Sequence, residues 1–185
     1  MDIFDAIHSR HSTREYLAEA PSDAIIASLL DAAIRAPCAV NRQPWRFTVV
    51  TNRPWLDDVS ERAKAYMTQT RPLDLPQTLY EKLADPQFHV FYHAPVLIVI
   101  SADQQGPWIE ADCASAAQNL MLAAHAKGLG SCWIGLSQPF LATAEGHEAL
   151  QIPASDHPIA PIVVGAPRSE SPPSPRKPVA VNWVR

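Results

Sequence analysis

The chain has 185 residues, 47% of them hydrophobic, enough for one domain with a substantial core. Fifteen basic and nineteen acidic side chains leave a net charge of −4, which argues against the basic face that general nucleic-acid binding needs. Its three cysteines, Cys38, Cys113 and Cys132, are odd in number and fit no zinc or redox spacing. A reducing, cytoplasmic setting is expected. The acidic N-terminus has no apolar signal core, and runs such as Ala94–Ile100 are too short to span a bilayer.

In chain order, Asp2–Ser9 reads as a short helix with Ile3, Phe4 and Ile7 on one face. Ser22 reads as an N-cap before a helical stripe running from Ile25 to Ile34, which Pro37 ends. Arg46–Thr51 is β-branched and reads as a strand. Trp55–Met67 and Gln77–Ala84 read as helices interrupted by Pro72 and Pro76, with variable structure over 53–93. Pro95–Ser101 is continuously apolar, as in a strand buried on both faces. Glu110–Lys127 is the strongest helix, stopped by Gly128 and Gly130. Ser131–Leu136 reads as a short strand or turn, and Ile159–Val164 as another buried strand. Eight prolines between Pro153 and Pro178 exclude a helix and predict an extended segment. Val179–Val184 alternates weakly, as an edge strand would. Such an arm suggests exchange with a partner chain.

Two stretches carry candidate chemistry. Arg10-His11-Ser12-Thr13-Arg14 places two guanidinium groups, an imidazole and hydroxyls together, a donor set suited to phosphate. The bland alternative is a solvated turn with Arg10 and Arg14 paired to Asp5 and Glu15. Asn41-Arg42-Gln43-Pro44-Trp45 brings amides and an indole to the start of a strand; a turn with a core tryptophan is its bland alternative. Arg176-Lys177 adds a second cationic element within the proline-rich arm, where a charged tail is the plain reading. His89 and His93 are spaced i, i+4, but no third metal ligand is evident and Pro95 limits a helix there. Cys38 follows Pro37 without a nucleophile signature. No G-x-G-x-x-G or Walker A loop is present, which disfavours a Rossmann dinucleotide site.

Taken in order, Arg10–Arg14, Ala36–Phe47, Gln118–His125, Gly128–Gly130, Cys132-Trp133-Ile134-Gly135, Val164–Pro167 and Arg176-Lys177-Pro178 resemble the FMN-dependent nitroreductase family almost end to end. That resemblance implies an α+β fold, a central mostly antiparallel sheet flanked by helices. It implies one domain over 1–185, with 172–185 as an extended C-terminal arm exchanged in a homodimer and two FMN sites in the interface.

By the same resemblance, Arg10, His11, Ser12 and Arg14 meet the FMN phosphate and ribityl chain, with Arg10 and Ser12 also near the pyrimidine side, and Arg176 and Lys177 close on the phosphate. Pro37, Cys38, Ala39 and Asn41 of the other subunit line the isoalloxazine, with Gln43 nearby. The backbone of Trp133, Ile134 and Gly135 faces flavin N5. Two departures stand out: many relatives have Ser where Cys38 stands, and many larger ones an acidic residue where Ile134 stands. The implied activity is ping-pong hydride transfer from NADH or NADPH through flavin N5 to nitroaromatics, quinones or similar acceptors. In it the flavin carries the chemistry, and no side chain acts as acid or base. A flavin-cleaving or dehalogenating branch, or a non-catalytic FMN-storage protein, are the alternatives.

Overall fold

Strand β2 (Val96–Ala102) is buried at every position, and its alternation divides the core in two. Leu97 and Val99 face one apolar cluster, while Val96, Ile98, Ile100 and Ala102 face another. This is the period-2 geometry of a strand with no solvent face. The structure, a computed structural model, describes residues 1–103, 105–169 and 175–185.

Among the described residues the sheet has four strands, in the order β1-β2-β4-β3. The others are β1 (Trp45–Val50), β3 (Gly130–Trp133) and β4 (His157–Gly165). All three pairings are antiparallel, as expected for this α+β fold; Trp45 pairs with Ala102, Val96 with Val164, and Gly130 with Gly165.

On one face lie α2 (Asp23–Ala33) and α5 (Ile109–Ala126). Ala116, Ala117 and Ala124 of α5 are fully buried; their small size lets this helix lie close against its neighbours. The other face carries α3 (Arg53–Thr70), α4 (Gln77–Ala84), α6 (Gln138–Leu141) and α7 (Ala144–Leu150). From α3, Leu56, Val59, Ala63 and Met67 enter that core. Each large apolar side chain buried in this way contributes about 1.5–3 kcal/mol. The first helix, α1 (Ile3–Ser9), is capped by Asp2, whose carboxylate accepts the Phe4 and Asp5 N–H groups. Asn52 caps α3 and Thr143 caps α7 in the same way.

Several boundaries differ from the sequence reading. Helix α2 ends at Ala33, before Pro37, and Ile34 is its half-exposed C-cap. Helix α3 extends past Met67 to Thr70 and closes on Arg71 in the left-handed conformation. Gly128, at φ 76°, ends α5, but Gly130 belongs to β3. The helices α6 and α7 carry no strong periodicity because each has only one or two turns. Pro158 and Pro161 lie within β4, so extension holds there. Residues 175–185 are exposed and form no strand, contrary to the edge strand expected at Val179–Val184; residues 172–174 of the arm lie outside the described residues. Among the described residues, no helix is long and apolar enough to cross a membrane.

Candidate functional site

The segment after α1 is threaded along the free edge of β3. Ser12 bridges Ser131 in parallel, and the Thr13 N–H donates to the Ser131 carbonyl at 3.0 Å. Beyond it, Leu17 N–H bonds Ala166 O and Arg168 N–H bonds Glu15 O. Gly130 is required for this approach, since a Cβ there would lie 2.5 Å from Thr13 Oγ1. Strand-edge pairing thus delivers Arg14 to the end of β3.

There Arg14 shares a cavity of about 860 Å³ with Trp133, Ile134 and Gly135. Its remaining walls are mostly apolar, with Leu73, Leu75 and Leu79 from the α3–α4 side and Tyr92 beneath. The Arg14 guanidinium sits 5.9 Å from the centre of the Tyr92 ring, within cation–π range. Among the described residues neither Arg10 nor Arg14 forms an ion pair, unlike Arg35, Arg46 and Arg62. The pairing of Arg10 with Asp5 and of Arg14 with Glu15 is therefore absent. The Ile134 N–H is spent on Pro161 O at 2.8 Å, and its side chain is buried in the core. Gly135 is exposed, with nothing within 4 Å of where a Cβ would stand. A flat ligand can approach that backbone closely.

Arg10 and His11 lie at the other end of this segment, against the C-terminal turn of α5. Ser9 Oγ donates to Asp5 O at 2.6 Å, so it accepts from His125 Nε2 at 2.7 Å. His11 Nδ1 donates to Ser9 O at 3.1 Å, and its ring meets His125 edge-on. Burial first, then the charges of His11 and Arg10, hold His125 below its ordinary value. The local field is positive, as an anion site requires.

The Pro37–Gln43 loop is held elsewhere. The buried Asp112 carboxylate, in the first turn of α5, accepts the Ala39 N–H at 3.1 and 3.3 Å. Gln43 N–H donates to Cys38 Sγ at 3.3 Å, and Gln43 Nε2 to Asn41 Oδ1 at 3.0 Å. Val40, Asn41 and Gln43 are all left-handed. That is costly for a β-branched residue such as Val40. Asp112 and His125 are thirteen residues apart on α5, about 20 Å at the helical rise. The Cys38 loop and the Arg10–His11 cluster are therefore widely separated within one chain. Arg176 and Lys177 are exposed and line no part of the large cavity. Burial pushes the Cys113 thiol up to about 12 and raises that of Cys132, so neither is a reactive thiolate.

His89 and His93 do come together, with ring centres 4.1 Å apart, and Asp57 of α3 joins them. They sit on a turn rather than a helix, because Tyr92 and His93 are left-handed. His89 Nδ1 accepts the Phe91 and His93 N–H groups at 3.1 and 3.3 Å. Its Nε2 therefore carries the proton and donates to Asp57 Oδ1 at 3.0 Å. A metal on Nε2 would need a protonated Nδ1 facing two main-chain donors, which this arrangement opposes. Asp57, Tyr92 and Asp112 escaped the sequence reading. Their partners His89, Arg14 and Ala39 lie 32 or more residues away along the chain, and no motif marks them.

Residues 7–166 match the model of the Nitroreductase family. A protein named NADH dehydrogenase/NAD(P)H nitroreductase from Methanothermobacter thermautotrophicus is 33% identical over 173 residues, covering 90% of this chain and 78% of that protein. A solved nitroreductase with bound FMN from Desulfitobacterium hafniense superposes with a TM-score of 0.84 at 27% identity, covering 100% of both chains. An iodotyrosine deiodinase from Thermotoga neapolitana is 27% identical, covering 70% of this chain and 71% of that protein.

Proposed function

Because the chain belongs to the nitroreductase family, we propose that it is an FMN-dependent oxidoreductase. It takes hydride from NADH or NADPH and reduces nitroaromatics, quinones or similar conjugated acceptors. One observation carries the reading: Arg14, which has no ion-pair partner among the described residues, and the open Gly135 backbone share the wall of a large, mostly apolar cavity. Those residues fit a flavin, which needs a flat apolar slot, a close-approaching N–H and a cation at its polar edge. Bound there, FMN would supply the hydride-accepting N5 and the two-electron chemistry.

The chain's own groups divide the remaining work. Gly135 would offer its N–H to the flavin, since the Ile134 N–H is already bonded to Pro161 O. Arg14, which the resemblance assigns to the phosphate and ribityl chain, shares the cavity wall with Gly135 and would instead face the polar rim of the ring, stabilising negative charge there. Arg10, His11 and Ser12 hold the ribityl phosphate, with Arg176 and Lys177 of the arm closing on it. Pro37, Cys38, Ala39, Asn41 and Gln43 belong to the site of a second copy. The separation of about 20 Å along α5 supports that assignment. So do the exposed apolar side chains Ile3, Phe4 and Ile7 of α1 and Val179, Val181 and Trp183 of the arm, which a homodimer would cover. In this reading 1–185 is one domain with 172–185 as the exchanged arm, working in the cytoplasm.

The test is the visible spectrum of the purified protein, followed by steady-state oxidation of each nicotinamide with a nitrofuran. A yellow protein with parallel-line kinetics is expected. A colourless protein that takes up no FMN overturns the reading, and a yellow one without turnover leaves only flavin storage. Halide release from a halogenated phenol without nitrofuran turnover would move the chain to a dehalogenating branch.

A further inference from the structure

Tyr92 stands between two cavities. It lines the large one with Arg14, and a second of about 530 Å³ whose walls include Arg168, His89 and His93. Arg14, Lys82 and Tyr92 are common to both. With the Arg14 guanidinium over its face and Phe88 edge-on at 5.9 Å, the Tyr92 ring is a partition between them. Its backbone is held in an unfavourable state, since Tyr92 (φ 53°) and His93 (φ 51°) are consecutive left-handed residues and neither is glycine. Something must impose that turn.

Helix α3 does so. It presents Asp57, Ser60 and Lys64, at i, i+3 and i+7, on one face. Ser60 Oγ accepts the Val90 N–H at 2.9 Å, and Lys64 Nζ donates to Pro86 O at 3.5 Å. Asp57 accepts from His89 Nε2, while His89 Nδ1 gathers the N–H groups of Phe91 and His93, which flank Tyr92. The imidazole is thus used at both nitrogens, and it is buried. One nitrogen bonds the turn and the other bonds α3.

We propose that His89, through the turn N–H groups that its Nδ1 accepts, is a positioning residue that sets the Tyr92 partition and thereby selects acceptor size. Held in place, the ring confines an acceptor to the large cavity, against the wall of Trp133 and Gly135. Released, it joins the two cavities, so that a small single-ring acceptor is poorly confined and a bulky polycyclic one gains room. The acceptor part of the inference rests on the flavin reading of the large cavity; the positioning part does not.

Two side chains separate the roles of the two nitrogens. In His89→Asn the amide oxygen takes the place of Nδ1 and still accepts the turn's N–H groups, but cannot reach Asp57. His89→Ala loses both. The first readout needs no flavin: 19F NMR of protein labelled with 3-fluorotyrosine, the Tyr92 signal being assigned from Tyr92→Phe. A shifted or broadened Tyr92 resonance is expected in His89→Ala and a wild-type one in His89→Asn. An unchanged resonance in His89→Ala overturns the proposal.

The second readout is kinetic, on FMN-loaded enzyme. In His89→Ala, KM for a single-ring nitroaromatic should rise about five-fold, as when one hydrogen bond is lost. KM for a polycyclic quinone should not rise, and His89→Asn should restore the ratio. Equal changes for both acceptors would mean a merely structural role and overturn the size-selection claim. Should His89→Ala not fold, Tyr92→Ala must reproduce the altered ratio with the clamp intact, and an unaltered ratio there overturns the claim as well. Wild-type protein that binds no FMN defeats the proposed function alone, since the NMR comparison still decides the positioning role.

Discussion

Asp112 accepts the Ala39 N–H through both carboxylate oxygens, across 73 residues of sequence. This contact fastens the strained Val40–Gln43 backbone to the rigid start of α5, where a carboxylate also suits the helix dipole. Replacing Asp112 by Ala leaves the part-buried Ala39 N–H without its partner. The expected cost is about 1.5–3 kcal/mol, the worth of a hydrogen bond to a charged group. Urea denaturation measures it. FMN affinity should fall as well, because the Cys38 loop loses its anchor; a loss of stability with unchanged FMN affinity would detach this loop from the cofactor site.

Arg10 and Arg14 are cations without ion-pair partners among the described residues, whereas Arg62 bonds Glu145 at 2.8 Å and Asp58 at 3.4 Å. Arg10→Ala and Arg14→Ala should each weaken FMN binding by about ten- to a hundred-fold, equivalent to about 1.5–3 kcal/mol. Arg62→Ala should leave it unchanged. Fluorescence quenching of free FMN on titration with apoprotein reads all three.

At Gly130 an added methyl group meets Thr13 at 2.5–2.7 Å. The bridge from Ser12 to Ser131 would have to open, moving Arg14 away from Gly135. Gly130→Ala is expected to cost about 1–3 kcal/mol by overpacking and to lower FMN affinity with it. Gly135→Ala, which meets nothing within 4 Å in the free chain, should spare stability and impair flavin binding alone.

His89 gives a pH signature. Burial first, then the neighbouring His93, depress its pKa from 6.5 to about 4, against the opposing pull of Asp57 and Glu61. The folded value lies below the unfolded one, so the unfolded chain takes the proton first. The contribution is full above pH 6.5 and is lost as pH falls from there through about 4, on the order of 3 kcal/mol in all. Chemical denaturation between pH 7 and 4 should show this slope, and His89→Asn should flatten it.

The arm supplies a further test. Removal of residues 172–185 should weaken both self-association and FMN retention, as sedimentation velocity and flavin content would report. A truncated protein that remains dimeric and yellow would exclude arm exchange.

Sequence and structure agree wherever local pattern decides the outcome. Strand β2 and helix α5 were legible because unbroken burial and a broad apolar stripe leave few alternatives, and the Ser22 cap was read correctly from its residue type. The 88–94 turn was not legible. The spacing of His89 and His93 suits a helix, and the left-handed Tyr92 and His93 carry no glycine to announce them. Asp57 and Asp112 were invisible for another reason: their partners, 32 and 73 residues away, meet them only once the sheet has formed. Of the expected cofactor residues, Arg14 and Trp133–Gly135 share a cavity. The Cys38 loop lies far from Arg10, as an interface between two copies would require.

The two-sided burial of β2 also separates the motions of the molecule. The side chains over the large cavity come from α4 and the segment before it. Helix α4 packs chiefly on α3 and begins at Pro76 without a side-chain cap. Helix α5, behind the sheet, fixes both Asp112 and His125. Local unfolding of α4 exposes Tyr80 and Leu83 but leaves the core between the sheet and α5 undisturbed, so the amides of α4 should exchange with solvent at lower free-energy cost than those of α5. On the proposed reading, the roof over an incoming acceptor would loosen while the anchors that α5 provides through Asp112 and His125 stay in place.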